Sequence, residues 1–183
     1  MANVKILGTA LLTWEGGFVF DKDDHGGATM KGITLSTYTE YRRKKGLSLP
    51  TQQDLRAITE GEWWDILKTV FWDPWLADEI QSQAVANICV NWGWGAGVKT
   101  AIMAVQQLLG LQADGIVGSM TLGALNAKQA EYTFNLLKAG RGRQLLQASC
   151  VGNNKKYLNG WLRKWEGFTL HSIALNGEQE IRF

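Results

Sequence analysis

Proline, cysteine and histidine are scarce in this 183-residue chain, with two of each. So few prolines exclude a polyproline or collagen-like architecture, and turns must rest largely on the 21 glycines. Cys89 and Cys150 lack metal-site spacing, and each sits in an apolar helical pattern, so both are expected as buried free thiols. Long apolar runs are missing too. No stretch of about 18 apolar residues exists, which excludes a membrane-spanning helix and stable membrane insertion by one. Met1 to Trp14 has one Lys ahead of a short apolar segment and no persuasive cleavage site, so it is not read as a signal peptide. Neither sign of charge prevails: 19 Lys and Arg against 17 Asp and Glu give +2. No basic stretch is dense enough, or carries the motif, to suggest a nucleic-acid partner.

What is abundant is tryptophan. Nine indoles serve either a bulky core or a cleft that stacks on rings, sugar rings included. Hydrophobic residues at 45% and charged residues at 20% are ordinary for a globular chain, so a folded core is expected rather than disorder. Charge is unevenly spread. Residues 1–85 hold 9 basic against 12 acidic side chains (−3), and residues 86–183 hold 10 against 5 (+5). A basic second half suits an anionic polymer, although a solvated surface explains the same bias.

Periodicity predicts a mainly α fold, a helical bundle with a small loop or hairpin. Ile6, Leu7, Ala10, Leu11 and Trp14 share one helical face, and Gly16-Gly17 stops that helix. Phe18 to Ile33 is rich in Gly and Asp and reads as the loop or hairpin. Ser36 or Thr37 is expected to cap a helix ending at Gly46, and Thr59 with Glu62 has capping-box spacing ahead of an aromatic helix closed at Asp73-Pro74. Residues 82–91 read as a buried helix, broken by Gly93, Gly95 and Gly97. Further helices are expected over 98–109, 119–125, 128–150 and 155–166.

The informative segment is residues 14–34, WEGGFVFDKDDHGGATMKGIT. Glu15 ends the first helix, where the dipole presents partial negative charge and disfavours ionisation. Trp14 and Phe18 beside it would desolvate it in the same direction. A carboxyl that keeps its proton near neutral pH is what a general acid needs. Asp24 follows in a polar loop where it should stay ionised, and one raised and one ordinary carboxyl is the pairing that glycoside hydrolysis commonly uses. A surface charge and a plain turn explain the same residues. A calcium loop over Asp21, Asp23, His25 and Gly26 fails at its twelfth position, which is Gly32, and His25 and His171 are too few for zinc, so no metal is expected.

Glu15-Gly16-Gly17-Phe18, Asp24, Gly26-Gly27-Ala28-Thr29 and Gly32-Ile33-Thr34 closely resemble the signature of glycoside hydrolase family 108. Phe71-Trp72-Asp73-Pro74, Val90-Asn91-Trp92-Gly93 and Gly160-Trp161-Leu162-Arg163 continue the likeness. Gln106-Gln107-Leu108-Leu109-Gly110 and Asp114-Gly115-x-x-Gly118-x-x-Thr121 resemble the peptidoglycan-binding half that accompanies it. The likeness spans about residues 5–166.

The resemblance implies an α+β lysozyme-like fold and an N-acetylmuramidase that cuts peptidoglycan after N-acetylmuramic acid without a cofactor. It implies a catalytic region over 1–84, a peptidoglycan-binding region over 85–166 and a tail over 167–183. It places the catalytic acid on Glu15 and the loop acid on Asp24. Thr29 is expected to orient a water or hydroxyl, or to cap a turn. Asn91, Trp92 and Trp94 are candidate sugar contacts, with a packing role equally open for the indoles. Gln107 and Asp114 are candidate stem-peptide contacts. A protein of this kind would be made in the bacterial cytoplasm and reach the wall through a holin or export partner. The rival readings are a lytic transglycosylase and an inactive wall-binding protein. Departures from the family pattern lie at Lys22 and His25, at Ile88-Cys89, and over Arg143–Gln147.

Overall fold

The computed structural model describes residues 1–20, 27–127, 129–152 and 154–167. They fall into two compact units, Gly8–Val70 and Met1–Leu7 with the chain from Phe71 onward. Both are mainly helical, and the strands among the described residues are three short ones.

Helix α1 (Val4–Trp14) enters the first unit at Gly8. A Cβ at Gly8 would lie 2.1 Å from Cζ3 of Trp64, so a position without a side chain is what admits that ring. The expected hairpin is a three-stranded antiparallel sheet of β1 (Phe18–Phe20), β2 (Ala28–Met30) and β3 (Ile33–Thr34). Lys31 and Gly32 join β2 to β3 with φ of 48° and 77°, as a two-residue type I′ turn requires. Trp63, fully buried, donates its indole N–H to Lys31 O at 3.0 Å and pins this turn.

Helix α2 (Leu35–Lys44) is capped by Thr34, whose hydroxyl accepts from Thr37 N–H, and not by Ser36 or Thr37. β3 runs straight into the helix, so its last residue already has the extended backbone that a cap requires. α3 (Gln52–Arg56) and α4 (Glu60–Ile66) both open on reciprocal capping boxes, Thr51 with Asp54 and Thr59 with Glu62. Tyr38 and Tyr41 stack at 6.4 Å and donate to Glu62 and Asp65 of α4 at 2.8 and 2.6 Å. Leu67–Trp72 then winds as a π-helix, followed by a 3₁₀ turn over Asp73–Trp75.

In the second unit, Ala2 N–H donates to Ile80 O, and Asn3 exchanges hydrogen bonds with Gln83. Helix α5 (Gln83–Ala96) is its centre, with residues 84–90 all buried. Gly93 and Gly95 do not break it; it ends at Gly97, where φ is +83°. The two inner glycines are places of close approach. A Cβ at Gly93 would meet Val98 at 3.3 Å, and one at Gly95 would meet Arg141 Nη2 at 2.7 Å. α6 (Val98–Leu108) and α8 (Ala130–Ser149) pack on α5 and on each other. α7 (Ser119–Ala127) follows the Asp114 turn, and α9 (Leu158–Glu166) packs on α8. Cys89 is buried as expected, but Cys150 is exposed because it lies one residue past the end of α8. No described helix is long and apolar enough to cross a membrane.

Candidate active site

Glu15 follows α1 directly, and its backbone N–H still donates to Leu11 O at 2.8 Å. The helix thus fixes where the residue begins, and its half-buried side chain lies at the carbonyl end of the helix. Gly16 and Gly17 are exposed, and a Cβ at either would meet nothing within 4 Å. These glycines are not forced by crowding or by a left-handed backbone. They leave uncrowded space around the backbone that follows Glu15.

The sheet sits next in the chain. Register pairs Val19 with Thr29 and Phe20 with Ala28. Thr29 is half-buried, and its hydroxyl lies 3.5 Å from Val19 O, the far limit of a hydrogen bond, so it is only loosely committed to the sheet. Arg56 of α3 sits over Phe18, its guanidinium carbon 3.9 Å from the ring centre. Asp24, like Asp21, Asp23 and His25, lies outside the described residues.

The same unit holds a groove of about 580 Å³ that the sequence reading missed. Phe20 and Gln52 line it with Ser36, Thr39, Glu40 and Arg43 of α2. Those four polar residues recur at helical spacing, the one signal that marked them beforehand. Glu40 is also bridged to Lys44 at 3.0 Å. An aromatic edge with hydroxyl, carboxylate and guanidinium groups around it has the chemistry to hold a sugar. Glu15 and Thr29 do not line it.

The remaining candidates belong to the second unit. Asn91 and Trp94 are half-buried, and Trp94 packs on Phe71 with ring centres 4.6 Å apart. Trp92 is a core residue, 1% exposed, and donates to Gln144 Oε1 at 2.6 Å. Gln107 is exposed on α6. Asp114 works inside its own turn, where its Oδ1 accepts from Ile116 N–H at 2.9 Å and from Gln106 Nε2 at 2.8 Å. Those two bonds hold its carboxyl below the usual range. Buried Gln106 clasps the whole motif, since its Oε1 accepts from Gly115 N–H and its amide nitrogen also reaches Ile116 O and Thr121 Oγ1. Gly115, at φ +78°, completes the turn. No three His, Cys, Asp or Glu side chains cluster among the described residues.

Residues 9–97 match the family model described as Glycosyl hydrolase 108, and residues 100–166 match the one described as Predicted Peptidoglycan domain. Among solved structures, the chain is similar to SagA of Brucella abortus, with a TM-score of 0.82 and 23% identity over 94% of this chain and 96% of that one. At that identity the likeness speaks to the fold, which the two share nearly end to end. No curated protein sequence is significantly similar.

Proposed function

We propose that this chain, a peptidoglycan hydrolase with a glycosyl hydrolase 108 region followed by a peptidoglycan-binding half, is an N-acetylmuramidase with Glu15 as its general acid. The observation that carries the reading is the place of Glu15. It is a half-buried carboxyl at the carbonyl end of a helix, beside an uncrowded Gly-Gly approach, inside the matched region. In the proposed step, Glu15 gives its proton to the oxygen leaving C1 of N-acetylmuramic acid. Positive charge then builds on that ring, and Asp24 offsets it or directs the incoming water. Water supplies oxygen to C1, its proton leaves to a carboxylate, and the Glu15 proton is restored. No metal or organic cofactor enters this scheme.

Thr29 is proposed to orient a hydroxyl or water, and Asn91 and Trp94 to contact sugar. Gln107 is proposed to contact stem peptides. For Trp92 and Asp114 the burial and bonding above favour supporting roles, holding neighbours rather than touching ligand. Action on the wall after release from the cytoplasm, through a holin or an export route, belongs to the same proposal. Purified sacculi incubated with wild type and Glu15→Gln test it. Loss of a general acid typically lowers rate by about 10² to 10⁴. A variant that folds and releases reducing ends at near wild-type rate overturns the assignment.

A further inference from the structure

Arg141 is a charged side chain in the packed face between α8 and α5, 8% exposed. Its guanidinium carbon lies 5.9 Å from the centre of the Trp92 ring, and Nη1 donates to Gln144 Oε1. The same Gln144 oxygen accepts from Trp92 Nε1, so one amide fixes indole and guanidinium together. Among the described residues no ion pair includes Arg141, and its one hydrogen bond is made by Nη1, leaving Nε and Nη2 without an acceptor there. Those two atoms form one edge of the guanidinium, the fork that a planar carboxylate meets with two parallel bonds. Nη2 lies against Gly95, where a Cβ would sit 2.7 Å away, and Gly95 itself is exposed. No side chain at position 95 therefore covers this edge of the guanidinium, which lies just beneath the exposed backbone of α5. Burial without an acid partner costs several kcal/mol for an ion, so a charge kept here needs a reason beyond packing. It also pushes the guanidinium down to about 10.

We propose that Arg141, clamped by Trp92 and Gln144 and reached past Gly95, binds a carboxylate of the peptidoglycan stem peptide. The inference rests on the peptidoglycan reading of the second unit and adds to it the ligand group and the residue that receives it. Neither Gln107 nor Asp114 supplies this, since neither is a cation.

The test uses the full chain and a soluble disaccharide-tetrapeptide, beside the same compound with its carboxylates amidated, followed by calorimetry. Wild type is expected to bind the free acid about ten- to a hundredfold more tightly than the amide. Gly95→Ala removes that preference while keeping the charge, because the added methyl would lie 2.7 Å from Nη2 and takes the space beside the fork. Arg141→Met abolishes the preference too, and its melting temperature equals or exceeds that of wild type, as expected when an unpaired buried charge becomes apolar. Equal binding of acid and amide by wild type, with intact sacculi still bound, overturns the carboxylate site and leaves the peptidoglycan reading standing. No binding to either compound or to sacculi overturns both. An acid preference unchanged in Gly95→Ala and Arg141→Met overturns the assignment to Arg141.

Discussion

Gly8 offers a test in which local propensity and packing demand opposite signs. Alanine inside a helix is favoured over glycine by about 1 kcal/mol, so Gly8→Ala should stabilise α1 if nothing stood nearby. The added carbon, however, would lie 2.1 and 2.3 Å from Cζ3 and Cη2 of Trp64 and 2.9 Å from Leu67 Cδ2. Overpacking costs about 1–3 kcal/mol, and contact with a rigid ring falls at the upper end. The net is a loss of about 2 kcal/mol, or about 4–8 °C in melting temperature for a chain of this size. Gly61→Ala, in the same unit and with open space around it, is the control and should gain up to about 1 kcal/mol. Urea unfolding followed by circular dichroism measures both, and Trp64→Leu in the Gly8→Ala background should recover most of the loss. Gly8 stands two helical turns, about 10 Å, before Glu15, so a tilted α1 should also lower activity more than Gly61→Ala does. Gly8→Ala as stable as wild type would refute the packing argument.

Asp65 is held below the usual carboxylate range by Lys45, 2.7 Å away, and then by Tyr41. Its folded pKa is depressed, so its contribution is present above the unfolded value near 3.9 and disappears as pH falls below it. Stability against pH should therefore drop more steeply below about pH 4 in wild type than in Asp65→Asn, and parallel curves would contradict this. Gln106→Leu strands the Gly115 N–H and loosens the Asp114 turn, which should cost about 1–3 kcal/mol in urea unfolding. A neutral result would remove the clasp role. Thiol titration of the native chain should count one reactive cysteine, Cys150, and two after denaturation, because burial shields Cys89 and pushes its thiol up. Two rapidly reacting thiols in the native chain would contradict the burial.

Much of the fold was legible because its signals are local. The apolar face of α1, the Thr59–Glu62 capping box and the glycine stops at Gly97 and Gly110 all act within a few residues. What misled is governed by contacts between elements rather than by the pattern within one. Gly93 and Gly95 look like breaks in the chain, yet they continue α5, because Val98 and Arg141 need the space. Gln106 and Asp114, eight residues apart, close into one turn, a pairing that their spacing alone does not show. The site divides in the same way. Glu15 stands out by its place before two glycines, whereas the Arg141 fork has no signature in a helix of mixed polarity and exists only where α8 meets α5.

The central claim is hydrolysis at muramic acid driven by Glu15. Sacculi digested in ¹⁸O-labelled water, with the products weighed by mass spectrometry, test it most directly. The account predicts reducing muramic acid ends carrying one ¹⁸O from wild type and almost none from Glu15→Gln. Anhydro ends lighter by one water, or labelled ends in equal yield from the variant, would contradict it.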